Sequence, residues 1–253
     1  MGAGGVLKIY SLRERPALEP DFERLADEGW PRFLRQRDEL GSGRYWSSLF
    51  TDFADWQLLV CGELDRVVAV GHTVPFAWDG DPARLPGSIA GVLASAAETR
   101  AAGRAPTALC ALAALVDRRH RGQGLSRVLL RAMAERAGGA GLGAFVAPVR
   151  PVLKAAYPLI PMEEYVRWTD GDGLPFDPWL RTHARLGAEL LSVLPRAMVI
   201  AGPVARWEEW TGLALPGSGA HVVTGALQPV RVDRERDEAR YEDPNVWMRH
   251  PAP

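Results

Sequence analysis

The chain has 253 residues and a mass of 27.6 kDa, enough for one large domain or two small ones. Hydrophobic residues make up 47% and charged residues 24%, which excludes a disordered chain, and neither collagen nor coiled-coil periodicity appears. Thirty Lys and Arg against 31 Asp and Glu leave a formal net charge of -1, which argues against nucleic-acid binding by bulk charge.

Taken in order, VLKIYSL (6–12) alternates as a first strand, and Pro20 and Asp21 open an amphipathic helix carrying Phe22, Leu25, Trp30, Phe33 and Leu34. GSGR (41–44) is a break, and YWSSLFTDFA (45–54) reads as a short aromatic helix. WQLLVCGE (56–63) and RVVAVGHTVPFAW (66–78) form a hairpin around Leu64 and Asp65. IAGVLASAAETRAA (89–102) is helical, and the uniformly apolar ALCALAALV (108–116) predicts a strand covered on both faces. A helix follows from about 124 to 137, with Leu125, Val128, Leu129, Ala132 and Met133 as its stripe and Gly138, Gly139 and Gly141 as its stop. AFVAPV (144–149) is the next strand, and Pro151 opens a short helix through Ala156. Beyond Pro158 the pattern changes. PMEEYVRW (161–168), a loop at 170–178 and a long helix from Trp179 to about Leu194 come first. AMVIAG (197–202), an aromatic helix (205–210), HVVTGALQPVRV (221–232) and a charged, Trp-bearing tail complete the chain. The expectation is an α/β core over 1–160 and a C-terminal α/β elaboration over 161–253, packed as one continuous domain.

Cys61 and Cys110 sit inside apolar runs and read as buried free thiols in a reducing compartment. No stretch reaches the ~20 apolar residues of a membrane span. The N-terminus lacks the pattern of a signal peptide, and Val6 stands where a myristoylation motif at Gly2 needs Ser or Thr. The expected location is cytoplasmic. No His, Cys or Asp cluster has metal-ligand spacing, so no metal is expected.

The informative segment is ALAALVDRRHRGQGLSRVLLRAMAERA (111–137), a buried strand, a turn with Arg119, Arg121, Gly122, Gln123 and Gly124, and a helix from Leu125. Glycines let backbone approach a ligand closely, and the unpaired amides at a helix start, aided by its dipole, attract an anion. Ser126 adds a hydroxyl in the first turn. The natural guest is a pyrophosphate. A P-loop is excluded because G-x-x-x-x-G-K-[ST] is absent. A Rossmann fingerprint is excluded because five residues, Asp117 to Arg121, separate the strand from the first glycine.

RHRGQGLS (119–126, with the last Arg119 of the pair DRRH at its head) resembles motif A of the GCN5-related N-acetyltransferase (GNAT) superfamily, with Arg119, Gly122 and Gly124 at its defining positions. The order hairpin, buried strand, motif, helix, strand and helix is similar to that fold over roughly 50–160. The resemblance implies a GNAT-like mixed sheet, splayed between the strands at 108–116 and 144–149 and flanked by helices, with acyl-coenzyme A in the gap. It places the pyrophosphate on Arg119, Arg121, Gly122, Gln123, Gly124, Leu125 and Ser126, and pairs the pantetheine arm with Leu115 and Val116.

Acyl transfer from a thioester needs a neutral nucleophile, a stabilised oxyanion and a proton for the departing thiolate. The resemblance points to Tyr157 as that acid, because a phenol stays protonated at neutral pH. His72, Glu163 and Glu164 are candidate bases. His183, beside Arg181 and Arg185, reads as a surface face, and His120 adds positive character to the cradle. Trp78 and Trp168, with His72, are the expected acceptor contacts, since aromatics at element edges often line small-molecule pockets.

These readings converge on an acyl-CoA-dependent N-acyltransferase, an acetyltransferase in the first instance, acting on a small-molecule amine by direct transfer in a ternary complex. Acetyl-CoA or another acyl-CoA is the co-substrate, with no nucleic acid and no membrane as partner. Two alternatives stay open. One is a GNAT-fold enzyme using an acyl carrier protein or the thioester itself, for example in decarboxylation. The other is an inactive CoA-binding partner protein. The tail fits either a homodimer contact or the chain's own sheet edge.

Overall fold

Residues 7–252 are described in the computed structural model of the chain, and the readings placed on Gly2 and Val6 lie outside them. Among the described residues nine strands form one mixed sheet: β1 (Lys8–Ser11), β2 (Leu58–Cys61), β3 (Val67–Phe76), β4 (Ala108–Val116), β5 (Ala144–Val149), β6 (Glu189–Gly202), β7 (Gly219–His221), β8 (Val230–Asp233) and β9 (Glu238–His250). Their order is β1-β2-β3-β4-β5-β9-β8-β7, with β6 also on β9. Every residue of β3 is buried, His72 and Thr73 included, as in a strand covered on both faces. The hairpin turn holds Leu64 and Asp65 at φ 55.

Two helices sandwich the centre of the sheet. On one face α3 (Ile89–Ala101) packs Val92, Leu93 and Ala96 on Val74, Phe76, Cys110 and Val146. On the other, α4 (Leu125–Gly139) packs Leu129, Leu130 and Met133 on Leu109, Phe145 and Ala147. Its approach to β3 is close: a Cβ on Gly71 would stand 2.2 Å from Met133 Cε and 3.1 Å from Leu129 Cδ1, so a larger residue there would have to displace the methionine tip. Gly138 and Gly139 stay inside the last turn. Gly141, at φ 72, reverses the chain so that Leu142 N–H reaches Ala137 O at 3.0 Å.

α1 (Pro20–Gly29) stops short of the expected Phe33 and Leu34 because Trp30 is extended ahead of Pro31, as a residue before proline prefers. Phe33 and Leu34 sit instead in a 3₁₀ turn over Arg32–Arg35. The aromatic segment at 45–54 is likewise broken, into α2 (Gly43–Trp46) and the 3₁₀ turn Ser47–Leu49. Residues after Pro151 form only the 3₁₀ turn Lys154–Ala156, and α5 (Met162–Tyr165) is one turn long.

The long helix expected from Trp179 to Leu194 is not formed. Asp177 caps α6 (Pro178–Arg185), and Gly187, at φ 84, ends it two residues after Arg185. The chain then enters β6, whose 14 residues include AMVIAG and pair antiparallel with β9. The charged tail supplies β9, which pairs with β5, β6 and β8. HVVTGALQPVRV is likewise two short strands and a loop rather than one element. α7 (Val204–Thr211) closes a C-terminal core in which buried Trp207 stacks on Phe33 at 5.5 Å. The sheet therefore runs across residue 160 without interruption.

Cys61 and Cys110 are free and buried, and burial pushes the Cys110 thiol far above its usual range. Among the described residues no helix is long and apolar enough to cross a membrane, and no cluster of three metal-ligating side chains occurs.

Candidate active site

The sheet opens between β4 and β5. These parallel strands are in register only over Ala108–Cys110 and Ala144–Val146, after which β4 continues through Ala111–Val116 with no partner on that side. β5 is meanwhile held away by β9, from Phe145–His250 to Val149–Val246. A bulge falls where β4 begins to diverge, because His72 faces Ala113 while Thr73 faces Ala111, leaving Leu112 as the extra residue.

At the end of the diverging strand lies the glycine-rich turn. Gly122 and Gly124 have φ of 77 and 78, a region that costs an L side chain roughly 1–2 kcal/mol. Their conformation leaves the N–H groups of Gly122, Gln123, Gly124, Leu125 and Ser126 without an acceptor among the described residues. All five stand at the positive end of the 15-residue α4.

Asp117 organises this turn from beneath. Fully buried, it accepts Arg119 N–H at 2.9 Å, Arg119 Nε at 3.1 Å and Nη2 at 2.7 Å. Those bonds hold its carboxyl well below the usual carboxylate range. Arg119 therefore braces the turn, and its charge is matched internally. The charges left for a ligand are Arg121 and Arg127, neither with a carboxylate partner among the described residues. With His120 they rim a cavity of about 340 Å³ floored by Val116, Gly122, Gly124, Leu125 and Ser126. Thr182 and Arg185 of α6 form its other wall. Gln123 and Leu115 do not line it. Leu115 packs inward on Phe22 and Leu25.

Tyr157 follows β5 on the far side of the gap. Half-buried, it meets Trp168 edge-to-face at 5.1 Å, with Phe176 at 5.9 Å and Tyr165 at 6.0 Å. Its hydroxyl has no hydrogen-bond partner among the described residues. Asp177 anchors this aromatic box, accepting Tyr165 Oη–H at 2.9 Å and Leu153 N–H at 2.7 Å. Lys154, buried without a carboxylate, donates from Nζ to the carbonyls of Tyr157 at 2.8 Å and Leu227 at 2.5 Å. Burial brings its pKa down to about 8.

His72 lies on the sheet face opposite α4, enclosed by Phe22, Trp46 and Phe50. Gln57 uses its Nε2 to donate to the carbonyls of Phe53 and Thr73, so its Oε1 must accept from His72 Nδ1, at 3.0 Å. This fixes the tautomer and leaves Nε2 as a lone-pair acceptor. Burial pushes the pKa of His72 down to about 3, so the ring is neutral. Glu163 and Glu164 are exposed.

The structure thus brings together the glycine turn, Val116 and Arg121, and seats Tyr157 with Trp168. Trp78 stands apart: its Nε1 donates to Asp81 O at 2.9 Å, and it borders a different cavity, with Ala144, Glu189 and His250. That cavity lies at the other end of β4, about 30 Å of strand from the glycine turn. His183 is not on a surface face. It is buried, with Nδ1 2.9 Å from His250 Nε2. Asp117, Arg127, Lys154 and Arg185 were not singled out from sequence. Asp117 and Arg127 flank the motif directly and Lys154 lies three residues before Tyr157, whereas only the tertiary fold brings Arg185 to the cavity.

A mixed sheet splayed between two parallel strands, with a glycine turn opening a helix at the fork, is the architecture of the GNAT acyltransferases. No family model matches the chain. It is, however, 34% identical to the arginine N-acetyltransferase avaD of Aspergillus versicolor over 277 aligned positions, covering 96% of this chain and 94% of that protein. The chain belongs to the GNAT superfamily and is an acyl-CoA-dependent acyltransferase. Two solved structures share its fold across 97% of its length and 98% of theirs. The loading GNATL domain of CurA from Lyngbya majuscula has a TM-score of 0.63 at 17% identity. The GphF GNAT-like decarboxylase, solved with isobutyryl-CoA, has 0.56 at 18%.

Proposed function

We propose that this protein transfers an acetyl group from coenzyme A directly to an amine of a small molecule of the arginine class, with both substrates bound at once. The observation that carries the donor site is the run of five unpaired amides, Gly122 to Ser126, at the fork of β4 and β5. The acceptor class is supported by the 34% identity with an arginine N-acetyltransferase.

The pyrophosphate rests on those amides, and the pantetheine arm pairs with the free edge of β4 near Leu115 and Val116, as an added strand would. The thioester then lies in the fork. The amine lone pair attacks the thioester carbonyl carbon, a C–N bond forms and the C–S bond breaks. The proton on nitrogen leaves to water, and the thiolate takes one from the Tyr157 hydroxyl, which is refilled from solvent. Trp168 and Phe176 hold the Tyr157 ring, so Trp168 acts through packing. His72, with its Nδ1 proton locked by Gln57, offers Nε2 to orient the amine from the face opposite α4. A neutral imidazole so resistant to protonation orients better than it deprotonates.

Calorimetric titration with acetyl-CoA tests the donor site. Wild type is expected to bind with micromolar affinity, and a Gly122→Ala/Gly124→Ala variant that still melts cooperatively is expected to lose at least about 1.4 kcal/mol, a factor of ten. Equal affinity in the folded double variant overturns the cradle. Thiol release on adding arginine tests the acceptor, and no release with arginine or its close analogues removes that assignment while leaving the donor site standing.

A further inference from the structure

We propose that Arg185, at the end of α6, is a phosphate-binding residue that closes the cradle from the opposite wall, and that it commits the enzyme to free coenzyme A thioesters rather than pantetheine carried on a protein. This rests on the reading of the Gly122–Ser126 turn as the pyrophosphate site.

Three observations converge on it. Arg185 lines the same cavity of about 340 Å³ as Gly122 and Gly124, although it comes from the C-terminal part of the chain. It has no carboxylate within ion-pair distance among the described residues, whereas Arg181, one turn earlier, is tied to Asp170 at 3.0 Å. Arg121 and Arg127, across the cavity, are unpaired in the same way, so three guanidinium groups converge on one concavity with no acidic residue in its lining. Thr182 contributes shape only, because its hydroxyl donates to Pro178 O at 2.9 Å.

Charge decides which ligand fits. Coenzyme A carries a pyrophosphate and a 3′-phosphate, together about four negative charges, the monoester accounting for about 1.5 to 2 of them. Pantetheine on a carrier protein brings one phosphodiester. Three unpaired guanidiniums added to a helix N-terminus exceed what a single phosphodiester can neutralise and match the free nucleotide, and the planar fork of arginine suits phosphate oxygens.

The test is titration of wild type, Arg185→Ala and Arg185→Lys with acetyl-CoA, acetyl-3′-dephospho-CoA and acetyl-pantetheine, beside turnover with acetyl-CoA and with an acetylated phosphopantetheinyl carrier protein. Arg185 is exposed, so its variants should fold as wild type does. Arg185→Ala should weaken acetyl-CoA binding about tenfold or more, as loss of a charge-assisted contact does. Arg185→Lys should recover part of that loss, and acetyl-pantetheine should be unaffected. A loss that vanishes with the 3′-dephospho donor assigns Arg185 to the 3′-phosphate, and one that persists assigns it to the pyrophosphate. Unchanged acetyl-CoA affinity in Arg185→Ala, an equal loss with acetyl-pantetheine, or a higher kcat/KM with the carrier protein overturns the proposal. Failure of wild type to bind acetyl-CoA is a different result, which removes the cradle reading itself.

Discussion

β4 and β5 are neighbours that share three registered pairs, whereas β6 and β9 share ten, across two bulges. The same contrast holds for charge. At the fork, Arg121, Arg127 and Arg185 face a cavity with no carboxylate partner among the described residues. Against the C-terminal sheet, Arg150 shares its Nε–H between both oxygens of buried Asp243, at 3.0 and 3.1 Å, and Tyr241 Oη–H donates to the same carboxylate at 2.6 Å. The C-terminal sheet pairs this buried charge internally and holds the molecule together. The fork leaves backbone amides and cations available, which is what the proposed pyrophosphate site calls for.

A substitution in each region separates stability from turnover. Trp207 is fully buried against Phe33 and Tyr241 in the C-terminal core. Trp207→Ala should destabilise the protein by about 3–5 kcal/mol in urea unfolding, with the acetyl-CoA affinity of the folded fraction unchanged. A matching loss of affinity would mean that the two regions are not separable. Tyr157→Phe keeps the ring in its aromatic box and removes only the hydroxyl. It should lower kcat about a hundredfold, about 2.7 kcal/mol of barrier, with little change in KM or melting temperature. The deficit should shrink when the donor releases an aromatic thiolate, which needs no proton. A deficit of the same size with both donors would show that Tyr157 positions rather than protonates.

The fork was legible in the sequence and the C-terminal sheet was not, for physical reasons. ALCALAALV and AFVAPV are apolar runs that mark strands without knowledge of partners, and β4 and β5 lie where the pattern puts them, although Leu112, Ala113, Ala114 and Val116, expected to be covered on both faces, are only half-buried where β4 loses its neighbour. The glycines of RGQG carry their conformation with them, which is why the geometry of this turn could be read locally. ELLSVL, by contrast, suits a helix or a strand equally, and what decides is β9, some 50 residues later in the chain. Gly187 was the one local sign that the helix ends early. Arg185 gives no sequence signal at all, because only packing of α6 on the core brings it to the cavity.

The smallest effect concerns imidazoles, and it divides between the same two regions. Burial pushes His72 down to about 3 at the fork, and His183 of α6 and His250 of β9 to about 3 and 4 in the C-terminal region, where His250 also disfavours charge on His183. In the unfolded chain all three take up protons near pH 6.5. Below that pH the unfolded state therefore binds more protons than the folded one, so stability is complete above pH 6.5 and falls as the pH drops toward 3–4. Each imidazole contributes a slope of about 1.4 kcal/mol per pH unit once the unfolded form is protonated. Between pH 6 and 5 most carboxylates remain ionised, so a series of urea midpoints in that window isolates the histidines. His72→Gln should reduce the slope by about one such increment, and a His183→Phe/His250→Phe variant by about two. If His72→Gln left the slope intact, the imidazole at the fork would already be charged in the folded protein, and its assignment as a neutral acceptor for the incoming amine would have to be withdrawn.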